Sequence, residues 1–310
     1  MLKIGAKIDE VRVDGDLTKL AQDLQYLANL GLEAVELPVH GLDAIKNGRL
    51  DQRRLKEIQK ILADYPLVYS IHAPNPLNLM SQEALSLHVA VFQASLEFAA
   101  AVGAPVLVYH AGRFIPEETF PVCAGSNLSA AQELELLSQE RRVLAELATA
   151  FPQVTICLEN ARPYLYHSPY SYAERPELLR QQIEAIQQPN VRINLDFGHL
   201  YLAAHHYGFN VVSATVILAP LVAHCHVHDN FGRPVYHHEK QQTHQLPFGR
   251  GDSHLPVGWG EIPIAEILAQ LLPAYQNLLI MELRSRYFHQ TAESFRNLQT
   301  ILAQLHGGRS

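Results

Sequence analysis

The part of the chain that decides the fold is residues 66–111, which read PLVYSIHAPNPLNLMSQEALSLHVAVFQASLEFAAAVGAPVLVYHA. Two short apolar runs at its ends, 66–73 and 104–111, are rich in valine, isoleucine and tyrosine and are typical of buried strands. The stretch between them, from residue 81 to residue 102, has an alanine-rich helical pattern. A strand, a helix and a second strand in this order predict two parallel strands joined by a right-handed crossover.

The same alternation of strand and helix continues along the whole chain. Helical patterns cover residues 17–30, 129–151 and 262–275. Six further strand runs begin at Leu2, Leu32, Gln153, Asn190, Leu221 and Asn277. Eight strands that alternate with helices over 310 residues predict a closed (β/α)8 TIM barrel, with a doubly wound open sheet as the structural alternative. No linker rich in Gly, Ser or Pro divides the chain, so we expect a single domain over residues 1–310.

Composition and charge exclude several classes of protein. Hydrophobic residues make up 48% of the chain and charged residues 18%, which is typical of a folded globular protein and not of a disordered one. The net charge of −7 opposes a nucleic-acid partner unless a local basic patch overcomes it. No apolar segment reaches 18 residues and the three cysteines show no CxxC spacing, so we expect a cytoplasmic protein with no membrane anchor.

Histidine is the one anomaly in the composition, and it is the first indication of a metal site. Ten of the 17 histidines fall between residues 199 and 254. Asp252 and His254 lie in a glycine-flanked loop of this region. The predicted third to eighth strands each end at a side chain that can ligate a metal, namely His72, His110, Glu159, Asp196 with His199, His226 and Glu282. Imidazole and carboxylate ligands suit Zn²⁺, Mn²⁺, Co²⁺, Fe²⁺ or Mg²⁺, and we expect one to three such divalent ions.

Four of the predicted strands are followed by long loops, which cover residues 112–128, 161–176, 230–256 and 284–291. In a barrel all four loops lie at the mouth formed by the carboxyl ends of the strands, where ligands bind. We expect Arg284 to anchor a phosphate or carboxylate of the substrate, with an ion pair to Glu282 as the alternative. Trp259 is predicted to contact the substrate by closing the mouth, and the alternative is that it only covers the barrel rim.

Seven motifs in chain order resemble those of a known family. They are HAPNPLNL at His72, YHAG at His110, CLENAR at Glu159, LDFGH at Asp196, HVHDN at His226, GDSHLPVGWGEI at Asp252 and MELRSR at Glu282. In this order and spacing they resemble the xylose isomerase-like TIM barrels over nearly the whole chain. Within that superfamily the chain is most similar to the sugar phosphate isomerase/epimerase group.

The ligand types also resemble those of the type IV apurinic endonucleases, which hold three zinc ions. That resemblance implies three ions, one at His72, His110 and Glu159, a second at Glu159, Asp196, His226 and Glu282, and a third at His199, Asp252 and His254. In the isomerase and epimerase branch, similar proteins use chiefly the second set for one divalent ion.

A metal-dependent isomerase or epimerase is the preferred interpretation. Such an enzyme moves a proton beside the carbonyl of a small sugar, sugar phosphate or polyol-like substrate, and it needs carboxylates on both sides of that carbon. Glu159 and Glu282 are the candidate pair, and His199 is expected to hold a substrate oxygen. The alternatives are a multinuclear zinc phosphodiesterase similar to an apurinic endonuclease and a catalytically silent metal- or ligand-binding barrel. A nucleic-acid partner is disfavoured but not excluded. The oligomeric state, including a homodimer, is left open.

Overall fold

The computed structural model describes residues 2–122, 128–240 and 243–307, and in it eight parallel strands close into a barrel. The strands are β1 (Lys3–Lys7), β2 (Ala34–Pro38), β3 (Val68–His72), β4 (Val106–His110), β5 (Thr155–Glu159), β6 (Val191–Asp196), β7 (Val222–Val227) and β8 (Leu278–Met281). Around the barrel the strand order is β1-β8-β7-β6-β5-β4-β3-β2. Each strand lies within one of the eight predicted runs, so the predicted TIM barrel is confirmed and the open sheet is wrong.

Helices surround the barrel in the described part of the chain. They are α1 (Glu10–Val13), α2 (Leu17–Asn29), α3 (Gln52–Leu62), α4 (Leu85–Ala101), α5 (Ala130–Ala150), α6 (Pro176–Ile186), α7 (Phe197–Tyr207), α8 (Val211–Leu218), α9 (Ile264–Leu271) and α10 (Thr291–Gly307). Helix α4 begins four residues later than the pattern predicts, because Ser81 instead closes a turn by accepting the N–H of Ala84 (3.2 Å). No described helix has the length and apolarity that crossing a membrane requires.

Short 3₁₀ turns and one small ladder complete the architecture. A two-residue antiparallel pair joins Ile45–Lys46 to Arg49–Leu50 between β2 and α3. The 3₁₀ turns are Val39–Leu42, Glu117–Thr119, Tyr172–Glu174, Ala219–Leu221, His237–Glu239, Thr243–Phe248 and Ser285–Gln290. Most of these turns lie in the loops that follow strands, so they shape the mouth of the barrel.

The interior of the barrel changes from apolar to polar along the strands. Near the amino ends of the strands, Ala34, Leu278 and Ile280 pack together. Gly5 on β1 permits this packing, because a Cβ atom there would lie 2.4 Å from the carbonyl oxygen of Ala34. Since alternate residues of a strand face the same side, Glu36 lies on the inner face two residues after Ala34. The last inward position of each strand therefore lies at the mouth.

Candidate active site and metal centre

A cavity of about 500 Å³ opens at the mouth of the barrel. This volume suits a small organic ligand. Strand ends and all four predicted long loops contribute to its wall, which includes Lys7, His110, Glu117, Glu159, Arg162, Asp252, His254, Glu282 and Arg284.

One group of four buried side chains lies at the base of this cavity. Each of Glu159, Asp196, His226 and Glu282 offers a ligand atom within 4.8 Å of the others. His226 Nδ1 is 2.9 Å from Glu282 Oε2, 3.4 Å from Glu159 Oε2 and 3.8 Å from Asp196 Oδ2. The strand register explains the convergence, because Asp196 and His226 are paired across β6 and β7.

A second group consists of His72, His110 and Glu159. His72 Nε2 lies 3.6 Å from Glu159 Oε2, and His110 Nε2 lies 3.7 Å from Glu159 Oε1. His72 Nδ1 is 2.7 Å from the carbonyl oxygen of Ala73, to which it donates, so Nε2 carries the lone pair that faces the group. Burial lowers the pKa of His110 to about 3, which keeps its imidazole neutral as metal binding requires.

A third group consists of His199, Asp252 and His254. Asp252 Oδ2 lies 3.1 Å from His199 Nε2 and 2.8 Å from His254 Nε2. Both histidines donate Nδ1–H to backbone carbonyl groups, His199 to Asn160 (3.0 Å) and His254 to Glu282 (2.9 Å). Burial opposes protonation of His199, but nearby carboxylates outweigh it and raise the pKa of His199 well above its ordinary value.

The carboxylates at the base of the cavity are held in the ionised form. Burial alone would raise the pKa of Glu159, but the charge of His226 and the hydrogen bond from His199 outweigh it and hold that pKa well below its usual range. Lys7 and His226 outweigh burial in the same way at Glu282, whose pKa is also held well below its usual range. Ionised oxygens are the form that a divalent cation needs.

Unsatisfied polar atoms provide a test of whether a metal ion fits these groups. His72 Nε2, Glu159 Oε1 and Asp252 Oδ1 are buried, and no hydrogen-bond partner for them lies in the described residues. Buried polar atoms are rarely left without partners, so an unsatisfied atom in a native site requires an explanation. A divalent ion would satisfy the first two atoms and balance the carboxylate charge, so the His72 group and the His226 group both fit one.

Glu36 is buried beneath the group around His226. Its Oε1 is 2.8 Å from His226 Nε2, and its Oε2 is 2.9 Å from His224 Nε2. Ser70 donates its hydroxyl to Glu36 Oε2 (3.0 Å), and Asn194 Nδ2 lies 3.1 Å from His226 Nδ1. Glu36 therefore turns Nε2 of His226 into the barrel and Nδ1 towards the carboxylates, which is the arrangement that orients a ligating histidine.

Lys7 was missed by the sequence reasoning. Its ammonium lies 2.5 Å from Glu282 Oε1 and 3.8 Å from Glu10, with only 7% of the side chain exposed. Burial alone would lower the pKa of Lys7, but Glu282 and Glu10 outweigh it and raise that pKa above its ordinary value. The strand-end argument applied to the last residue of β1 would have found it, but lysine is not a metal ligand type and gave no signal.

Two predicted substrate-binding residues have different positions. Arg284 lines the cavity, and its Nη2 donates to the carbonyl oxygens of Lys240 and Asp252, both at 2.9 Å. Trp259 lies on the rim, where its indole N–H donates to Glu293 (2.9 Å) and 41% of the residue is exposed. Trp259 is not among the residues that line the cavity in the described chain.

Comparison with known proteins agrees with this fold. Residues 24–304 match the family described as xylose isomerase-like TIM barrel. A solved D-tagatose 3-epimerase-like protein is 21% identical, with a TM-score of 0.74 over 99% of this chain and 100% of that chain. The 3-keto-D-glucoside 4-epimerase from E. coli is 17% identical, with a TM-score of 0.69 over 97% and 100% of the two chains. No curated protein matches the sequence.

Proposed function

The chain belongs to the xylose isomerase-like TIM barrel family, and we propose that it is a divalent-metal-dependent isomerase or epimerase of a small sugar, sugar phosphate or polyol-like substrate. One observation carries the proposal. Glu159 and Glu282 meet Asp196 and His226 at the base of the cavity with ligand atoms within 4.8 Å of one another. The solved structures of similar fold include several described as sugar epimerases, which supports this choice of reaction.

The residues that would hold the ion are Glu159, Asp196, His226 and Glu282. When bound, a divalent ion supplies a Lewis acid that polarises the substrate carbonyl. Glu159 is the last residue of β5 and Glu282 directly follows β8, so the two carboxylates reach the cavity from different strands of the barrel. One of them accepts the proton beside the carbonyl, and the other, which is ionised in the resting site, first takes up a proton from solvent and then delivers it to the opposite face.

The substrate itself would be held by residues on the surrounding loops. His199 is fixed by the carbonyl of Asn160 and can contact a substrate oxygen at the cavity wall. Arg284 is clamped by two backbone carbonyls through one nitrogen, which leaves its other N–H groups for a phosphate or carboxylate. Trp259 would reach the substrate only after a movement of the rim, so it has no part in this mechanism.

Proton exchange with solvent tests the proposal directly. The protein would be incubated in D2O with divalent ions and a panel of ketoses, aldoses and their phosphates, and deuterium in the sugar would be measured by NMR. We expect exchange in the wild type, loss of about 100-fold or more in Glu159→Gln and Glu282→Gln, and no change in the control Glu266→Gln on the exposed face of α9. Equal exchange in all four proteins would remove both glutamates from the mechanism.

A metal-assisted phosphodiester hydrolase is the second candidate. The observation that favours it is that the groups around His72 and around His199 form as well, so all nine residues of the apurinic-endonuclease ligand set are near one another. Such an enzyme would use several ions to generate hydroxide and to neutralise the phosphate. Cleavage of a duplex with an abasic site, with no deuterium exchange into any sugar, would favour the hydrolase over the isomerase.

We propose the cytoplasm as the location of the enzyme. Cys157 and Cys225 are buried and free within the described residues, which supports a reducing compartment. Cys123, the third cysteine, lies outside the described residues.

A further inference from the structure

The positively charged side chain of Arg162 lies against the third group. The guanidinium of Arg162 places Nη1 at 2.9 Å from His199 Nε2 and at 3.4 Å from Asp252 Oδ2. His199 and Asp252 are two of the three residues that would offer ligand atoms to a metal ion at the third group. Arg162 was predicted only as part of a loop after the fifth strand, so this contact is visible only in the structure.

Arg162 is fixed in this position by its own neighbours. Its Nε donates to the hydroxyl of Tyr164 (3.0 Å), and its backbone carbonyl accepts from the hydroxyl of Tyr170 (3.1 Å). Pro163 follows it and restricts its backbone to extended conformations. Only 19% of the side chain is exposed. The guanidinium is therefore part of the built site and does not sample solvent freely as a surface arginine does.

We propose that Arg162 is the permanent occupant of the His199, Asp252 and His254 group, and that this group takes no metal ion. The inference rests on the proposed function in one respect, since it assumes that divalent ions bind the other two groups. A ligating histidine must offer its lone pair at about 2.0–2.1 Å from the metal. The guanidinium of Arg162 already lies 2.9 Å from His199 Nε2, where the metal ion would have to bind, and an arginine keeps its charge at every physiological pH.

The contrast with Lys7 shows why one cation blocks a site and the other does not. Lys7 contacts Oε1 of Glu282, whereas Oε2 of the same carboxylate faces His226. Arg162 instead faces Asp252 Oδ2, the same oxygen that faces His199. Of the three ligand groups described above, at most two therefore take an ion. Arg162 presents a fixed positive charge to the cavity in place of an exchangeable one.

The test is a count of Co²⁺ ions per chain by elemental analysis and by absorption titration, after equilibrium dialysis. We expect Arg162→Met to bind one ion more than the wild type, and the double variant Arg162→Met/His254→Ala to return to the wild-type number. Arg286→Met is the matched control, because it removes an exposed arginine of the same cavity and should not add an ion. An equal count in the wild type and Arg162→Met, or three ions in the wild type, would overturn the proposal.

A second measurement needs no change at Arg162 and covers the case in which that variant does not fold. His254→Ala in the wild-type background should leave the ion count unchanged, whereas the loss of one ion would mean that the third group holds metal. Failure of the proposed function has a different signature. A wild type that binds no Co²⁺ at all would refute metal dependence, and the gain of an ion in Arg162→Met would still decide whether Arg162 occupies the third group.

Discussion

Replacing Glu36 by glutamine should weaken ion binding although Glu36 is not among the four residues proposed to hold the ion. The carboxylate contacts His226 Nε2 at 2.8 Å and His224 Nε2 at 2.9 Å, and its exposed fraction is 0%. Glutamine keeps the shape of the side chain but has one acceptor oxygen and an NH2 group. It can accept from only one of the two imidazoles, and its NH2 then faces the other, so the ring of His226 is no longer fixed.

The size of the effect follows from these contacts. Loss of a partner that orients a ligating histidine costs about 10- to 100-fold in ion affinity, or about 1.4–2.7 kcal/mol. Loss of one hydrogen bond to a charged group should lower the free energy of unfolding by about 1.5–3 kcal/mol. With an unfolding entropy of about 2.1 cal/mol/K per residue over 310 residues, the melting temperature should fall by about 2–5 °C.

Ion affinity by equilibrium dialysis and melting by calorimetry would measure both effects. Ser70→Ala is the matched control, because it removes a hydrogen bond to the same carboxylate but leaves both imidazole contacts in place. The control should lose stability and retain ion affinity. If Glu36→Gln melts earlier but binds Co²⁺ as tightly as the wild type, Glu36 serves only the packing of the barrel and the reasoning about His226 is refuted.

Three further predictions concern charge, pH and a helix end. Lys7→Met removes an ammonium that repels a cation at Glu282, so the ion should bind about tenfold tighter; equilibrium dialysis checks this, and unchanged affinity contradicts it. Burial lowers the pKa of His88 below 6.5, and its Nδ1 accepts the N–H of Asn78 (3.2 Å). Neutral His88 makes its full contribution to the free energy of unfolding above pH 6.5, and this contribution declines as the pH falls. The free energy of unfolding of His88→Asn, measured by urea titrations between about pH 7 and about pH 5, should therefore depend less on pH than that of the wild type. Ser129 caps α5 in a capping box, so Ser129→Ala should lower the free energy of unfolding by about 1 kcal/mol. An unchanged midpoint of urea unfolding would contradict this prediction.

The barrel could be predicted from the sequence because its strands are short, buried runs whose inner and outer residues alternate. The same alternation explains why the strand-end residues of the third to eighth strands were found together. His72, His110 and Glu159 each occupy the last position of a strand, and a closed parallel barrel brings such positions to one mouth. These three candidates thus followed from strand pattern and residue type, whereas the division of the ligands into groups rested on the family resemblance.

Other features depended on tertiary contacts that no local pattern encodes. Glu36 lies in the middle of β2, so its partners on β7 are known only once the barrel closes. The position of Arg162 depends on Tyr164 and Tyr170 in its own loop, where the sequence shows only a proline-punctuated aromatic stretch. Trp259 could not be placed either, because its partner Glu293 belongs to the distant helix α10.

The pairing of β1 with β8 has a consequence for how the protein reaches its native state. Lys7 and Glu282 are 275 residues apart in the chain, and Glu36 and His224 are 188 residues apart. Contacts between such distant segments form late and slowly during folding. Before β8 pairs with its neighbouring strands, Glu282 is not in the site, so an ion cannot be retained at the base of the cavity. The rate at which tight ion binding returns during refolding therefore reports the rate at which the barrel closes. Excess ion should stabilise the closed barrel relative to partly folded intermediates.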